Sequence, residues 1–169
     1  ARIKAYELAF RMQSAAPALV DIRQETVATH KLYGLHDEKT REFGERCLLA
    51  RRMVESGVRF VQVYSGGTEG WDAHQDVQKN HGDLCAKTDQ PIAGLLRDLK
   101  QRDMLKDTLI VMAGEFGRTP DNGLRGGGVA FGRDHNNNAM FTVLAGAGVG
   151  RGQTIGATDE LGFKAVDVV

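Results

Sequence analysis

A chain of 169 residues and 18.4 kDa is long enough for one domain with a real core, since surface scaling lets roughly two-thirds of the unfolded surface be buried at this size. Lys plus Arg and Asp plus Glu each number 22, a balance that argues against a basic nucleic-acid module or an acidic solvating tail. No apolar run approaches a membrane span, Ala1-Arg2-Ile3-Lys4 leads into no signal-type stretch, and two cysteines, Cys47 and Cys85, exclude a disulfide framework or a Cys-rich zinc module.

Twelve of the 21 glycines fall between Gly114 and Gly156, and only Gly34 and Gly44 occur in the first 56 residues. The first third therefore reads as helical and the last third as loop-rich. Residues 2–13 place Ile3, Tyr6, Leu8, Ala9 and Met12 near helical spacing, and a second helix is expected over 21–32, stopped by Gly34. Asp37 can cap a third helix over 40–56, with Phe43, Cys47, Leu48, Met53 and Val54 toward one side and Gly57 as its stop. Its charged residues, Arg41, Glu42, Glu45 and Arg51, read as a solvated face.

Residues 58–64 are dense in β-branched and aromatic side chains and predict a strand. Helix follows over 75–102, where Pro91 predicts a kink or a break into two. The apolar run 107–113 predicts a strand covered on both faces, and 139–145 predicts a third after the glycine-rich segment. Strand, helix, strand is a βαβ unit with parallel strands, so the class is α/β. The third strand has no crossover helix before it, and parallel pairing normally needs one. Parallel pairing would also leave Glu115 and His135 at opposite ends of a ~17–20 Å strand. An antiparallel third strand brings both to one edge.

Ligands collect at strand ends in such sheets, and each junction here carries a carboxylate. Trp71-Asp72-Ala73-His74 follows the first strand, Gly114-Glu115-Phe116-Gly117-Arg118-Thr119-Pro120 the second, and Gly132-Arg133-Asp134-His135-Asn136 precedes the third. Carboxylate oxygen and neutral imidazole suit zinc, manganese or iron, and carboxylates alone also suit magnesium or calcium. The candidate ligands are Asp72, His74, Glu115, Asp134 and His135. Glu115 can instead pair with Arg118, and Arg118 can serve as that partner or hold a phosphate or sulfate through its planar fork. His30, His36 and His81 read as structural, with His81 a secondary candidate near the His74 loop. Ser65-Gly66-Gly67 lacks a Gly-x-Ser-x-Gly elbow, and the glycines at 126–128 open no helix, so they read as a mobile loop rather than a dinucleotide fingerprint.

These three junction motifs, with Lys31-Leu32-Tyr33-Gly34, residues 60–67 and Ile155-Gly156-Ala157-Thr158-Asp159-Glu160, resemble a bacterial family. It is domain of unknown function 1501, abundant in planctomycetes and often labelled sulfatase-like. The family looks like a branch of the alkaline phosphatase superfamily, with arylsulfatases and phosphopentomutases. The resemblance implies a three-layer α/β/α sandwich whose sheet is mostly parallel with one antiparallel strand. It further implies that residues 1–169 are a single-domain fragment, with the nucleophile on a strand before Ala1 and further chain beyond Val169. Asp72 and His74 resemble the Asp and His ligands after one strand, though superfamily members space that pair Asp-x-x-x-His. Glu115 stands where an Asp begins an Asp-His pair, Phe116 stands where its His would fall, and His135 resembles a later, isolated ligand. Phenylalanine binds no metal, which speaks against a full two-metal site. The implied activity is hydrolysis of phosphate or sulfate esters at a divalent ion (zinc, calcium, magnesium and manganese being equally compatible). The substrate would be a small-molecule or polysaccharide ester bound by Arg118, with no nucleic acid, in an extracytoplasmic or periplasmic setting. A non-catalytic binding or scaffold protein keeping one ion is the alternative.

Overall fold

The computed structural model describes residues 2–66, 70–121 and 131–167. The chain groups into two compact units, residues 1–65 with 86–99 and residues 66–85 with 100–169. Helices come first, as α1 (Arg2–Val20), a 3-10 turn (Ile22–Gln24), α2 (Val27–Leu32), α3 (Glu38–Glu55) and α4 (Val77–Gln101). Among the described residues, no helix is long and apolar enough to cross a membrane.

In the first unit, the Asp37 carboxylate accepts the Lys39 N–H at 2.9 Å and starts α3, satisfying a donor that the helix cannot. The helix stops where Gly57 takes φ +90°, a conformation open to a residue without Cβ, and Val58 N–H returns to Met53 O at 3.0 Å. The single helix expected over 21–32 is instead two pieces. Asp21 caps the 3-10 turn and Thr26 Oγ1 accepts Thr29 N–H at 3.1 Å to begin α2, so side-chain bonds to the backbone interrupt the run. Helix α4 runs unbroken through Pro91, where two helices or a kink were the expectation.

Tyr33, Leu35, Cys47 and Leu48 form the core of this unit, with Ile22, Leu32, Phe43 and Leu95 packed against it. Burial pushes the Cys47 thiol up to about 12, so it serves as a small apolar filler. Arg51 departs from the expected solvated face, being only 1 % exposed. Its Nη2 lies 2.7 Å from Glu25 and its Nε 2.9 Å from Asp98, and Glu55 closes on Nη1. The Tyr33 hydroxyl donates to Asp98 at 2.9 Å. Arg52 also meets Glu25, at 2.5 Å, and donates to the carbonyls of Ala18 and Leu19. Burial pushes the Glu25 carboxyl up, but hydrogen bonds from Arg52 and Arg51 outweigh it and hold the group below its ordinary value.

The second unit carries the strands. β1 (Leu109–Ala113) pairs antiparallel with β4 (Thr142–Gly146), Leu109 facing Gly146 and Ala113 facing Thr142. Inside their connection, β2 (Gly117–Arg118) pairs antiparallel with β3 (His135–Asn136), so Arg118 stands opposite His135. β5 (Ala157–Thr158) and β6 (Ala165–Asp167) make a third antiparallel pair. Asn136, 4 % exposed, joins the last two pairs by donating to Phe163 O at 2.9 Å.

These pairings overturn the expected α/β/α sandwich with a mostly parallel sheet. Every ladder among the described residues is two-stranded and antiparallel. The antiparallel relation of 109–113 to the third expected strand holds, since no crossover helix intervenes among the described residues. The parallel partner does not form, because residues 58–64 enter no ladder. Phe60 and Tyr64 are largely exposed, and Leu109 and Val111 are half-exposed rather than covered on both faces. Apolar β-branched composition reports fitness for a pleated surface and does not supply the neighbouring strand. The expected loop at 126–128 lies outside the described residues.

Removing Arg51 takes the buried guanidinium from Asp98 and leaves Glu25 to Arg52. Arg51→Ala is expected to cost about 3–5 kcal/mol in urea unfolding. Arg46→Ala, which breaks an exposed pair with Glu42, is expected to cost at most about 1 kcal/mol. Equal losses would contradict a structural role for the buried cluster.

Candidate metal centre

Three segments of the second unit meet here. Residues 131–135 are bonded on one side to the 73–77 turn, through Val77 N–H to Phe131 O at 2.8 Å and Arg133 N–H to Ala73 O at 2.9 Å. On the other side they join the end of β2, through Thr119 N–H to Asp134 O and Asp134 N–H to Thr119 Oγ1, both 2.9 Å. Gly132 makes this closeness possible, because a Cβ there would stand 1.9 Å from the His74 carbonyl oxygen. Thr119 is thereby a brace, its hydroxyl also donating to Asp121 O at 2.5 Å.

The braced segments converge on one oxygen. Asp72 Oδ1 lies 3.0 Å from His74 Nε2 and 2.8 Å from His135 Nε2, and the Arg118 guanidinium closes on the same atom. Hydrogen bonding from Arg118 lowers the Asp72 carboxyl to about 2 against an opposing effect of burial, with His135 and His74 contributing. The group is therefore a carboxylate at any physiological pH. The Phe116 ring lies 4.4 Å from the His135 ring and 5.4 Å from the Arg118 guanidinium carbon, within cation–π range.

One ligand atom each from Asp72, His74 and His135 lies within 4.8 Å of the others. Tetrahedral zinc with bonds of ~2.0–2.1 Å separates neighbouring ligand atoms by roughly 3.3–3.4 Å, so the two Asp72–imidazole separations, 3.0 and 2.8 Å, are each a few tenths of an ångström short of that spacing. Three protein ligands leave a position for water or substrate. With Nε2 given to an ion, the His74 proton sits on Nδ1, which faces Asp134 Oδ1 at 3.7 Å. A carboxylate behind a ligating imidazole orients the ring and raises its basicity.

The five expected ligands thus divide. Asp72, His74 and His135 come together. Asp134 turns its carboxylate back to the His135 N–H at 2.8 Å and stands behind His74. Glu115 is two-thirds exposed and lies 3.7 Å from Arg118. Sequence reasoning paired Arg118 with Glu115 or with an anion and missed Asp72, its closest carboxylate. The β2–β3 register that carries it there is set by residues 17 apart along the chain. His81, the secondary candidate, contacts the Trp71 carbonyl at 3.1 Å and packs its ring on the indole, supporting the turn before Asp72.

The cluster, two imidazoles and a carboxylate on antiparallel ladders and turns, is a compact histidine–carboxylate group that could hold a metal ion. The family model described as protein of unknown function, DUF1501, matches residues 1–169, and the chain belongs to that family. No curated protein and no solved structure matches it.

Gly132→Ala is expected to cost about 1–3 kcal/mol in urea unfolding, the range for forcing atoms into a filled space. Gly66, with nothing among the described residues within 4 Å of a Cβ built on it, should tolerate Ala within about 0.5 kcal/mol. Equal tolerance at both positions would mean that the segment at 132 does not lie on His74.

Proposed function

We propose that this chain provides the metal-binding part of a hydrolase acting on phosphate or sulfate esters. The observation that carries the reading is the meeting of one ligand atom each from Asp72, His74 and His135 within 4.8 Å, beside a guanidinium. A bound divalent ion supplies Lewis-acid charge to a phosphoryl or sulfuryl oxygen. Arg118 presents a planar fork matched to two oxygens of a tetrahedral anion. Phe116 packs between Arg118 and His135 and sets the distance between anion-binding and cation-binding groups. The Asp134 carboxylate, 3.7 Å from His74 Nδ1, favours electrostatically a proton on the nitrogen away from the site. The motif resemblance to sulfatase-like proteins supports the same substrate class and an extracytoplasmic setting. The nucleophile is not assigned, since Thr119, the hydroxyl braced beside Asp134, is committed to Asp121 and Asp134.

A second reading, a non-catalytic binding protein that keeps one ion, is favoured by Phe116. It occupies the wall beside His135 and offers no ligand atom for a second ion.

Equilibrium dialysis against zinc tests the shared premise. One ion per chain is expected, with Asp72→Ala and His135→Ala each weakening binding beyond the roughly 10–100-fold that substitutions behind a ligand cost. Asp134→Asn should fall inside that range. Weak zinc binding that is equal in all four proteins would defeat the reading. Turnover of an aryl phosphate or sulfate that chelation abolishes and zinc restores selects the hydrolase. Stoichiometric zinc without turnover selects the binding protein only where the chain tested carries the nucleophile strand that the resemblance implies.

A further inference from the structure

We propose that Arg118 is an oxyanion-binding residue gated by the cation site: the Asp72 carboxylate holds its guanidinium until a divalent cation takes Asp72, and the released fork then binds a phosphate or sulfate group. This rests on the reading of Asp72, His74 and His135 as cation ligands and adds an order of events to it. The geometry behind it is that one oxygen, Asp72 Oδ1, faces both imidazole nitrogens and Arg118 Nη1. A cation bonded to that oxygen stands within a few ångströms of the guanidinium. Two positive groups that close repel, and the oxygen has given its charge to the nearer one.

Release does not mean loss of position. Arg118 is held by its backbone pairing with His135 in the β2–β3 ladder and by the Phe116 ring 5.4 Å from its guanidinium carbon. Its other carboxylate neighbour, Glu115, lies 3.7 Å away and is two-thirds exposed, so it is a screened and weak competitor. A guanidinium fixed beside a bound cation, with its strong carboxylate partner removed, is suited to an anion that bridges both. A tetrahedral oxyanion can offer two oxygens to the fork and a third to the cation. Cation and oxyanion therefore favour each other, and linkage makes the coupling reciprocal: each raises the affinity of the other by one common factor.

Arg118 then has two opposite effects on the cation. In the absence of oxyanion it competes for Asp72 and weakens cation binding. In its presence it contributes an anion contact and strengthens it. A phosphate that merely sits on the metal shows the second effect without any role for Arg118.

Zinc affinity measured by competition with a chromophoric chelator, in buffer free of oxyanions and again with inorganic phosphate or sulfate, reads both effects without requiring catalysis. For the parent, zinc binding is expected to tighten about tenfold or more with saturating phosphate or sulfate, within the usual 5–150-fold range of coupling between sites. Arg118→Gln is expected to bind zinc more tightly than the parent without oxyanion and to lose nearly all of the response. Arg118→Lys, which keeps the charge and loses the fork, should retain a partial response and so separates loss of binding from loss of folding. A response to phosphate but not sulfate, or the reverse, assigns the anion while supporting the gate. An oxyanion response surviving Arg118→Gln, or weaker zinc binding by Arg118→Gln in oxyanion-free buffer, overturns the gate. Zinc binding by the parent with no oxyanion response also overturns it, but leaves the cation site standing. A parent that binds no zinc removes both.

Discussion

The two histidines of the candidate centre meet because the backbone of Gly132 lies against the carbonyl of His74, closer than any side chain at 132 would permit. That contact, with the flanking Arg133–Ala73 and Val77–Phe131 hydrogen bonds, fixes the 131–135 segment against the turn bearing Asp72 and His74. The Thr119–Asp134 pair of bonds fixes its other side. Backbone positions thus set the site, and the side chains have short distances left to span. Pre-positioning of this kind is what a metal site needs, since each ligand ordered in advance reduces the entropy lost on binding.

The chain places charge inside itself in two opposite ways. In the first unit a guanidinium, Arg51, is enclosed by the carboxylates of Glu25, Asp98 and Glu55 and is 1 % exposed. In the second a carboxylate oxygen, of Asp72, is ringed by His74, His135 and a guanidinium and remains about one-third exposed. The enclosed cluster is shut off from solvent except at Glu55, and its three carboxylates share one guanidinium. It ties α3 to α4 within the helical unit. The ringed carboxylate has more donors than one oxygen can satisfy well, and solvent reaches it. The second arrangement leaves a solvent-reached oxygen at which a partner could be exchanged for a ligand.

The motifs around the site were legible in the sequence because spacing and chemistry coincide in them: Asp72 with His74, and Asp134 beside His135. The antiparallel run of a strand lacking a crossover was legible too, and β1 with β4 satisfies it, but the parallel strand expected to bring Asp72 and His74 to the same edge does not form. The division of labour among the five candidates was not. Nothing in the order Asp134-His135 says that the carboxylate turns back on its own backbone. Nothing in the spacing of Glu115 and Arg118 says that Asp72, 46 residues away, holds the guanidinium. Arg51 was misread for a related reason. A charged residue on an amphipathic helix defaults to solvent, and only the approach of Glu25 and Asp98 from distant positions makes its burial tolerable. The parallel sheet failed because pairing is a property of two segments, and residues 58–64 carry strand composition but enter no ladder among the described residues.

The central claim is that Asp72, His74 and His135 hold one divalent cation together. Anomalous diffraction at the zinc edge, from crystals of the protein grown with zinc, tests it directly. One peak is expected within ~2.0–2.2 Å of an Asp72 oxygen and of both Nε2 atoms, the range of zinc–ligand bonds, with the Arg118 guanidinium moved off Asp72. A map with no peak there, or with zinc elsewhere and the Asp72–Arg118 pair unbroken, would contradict it.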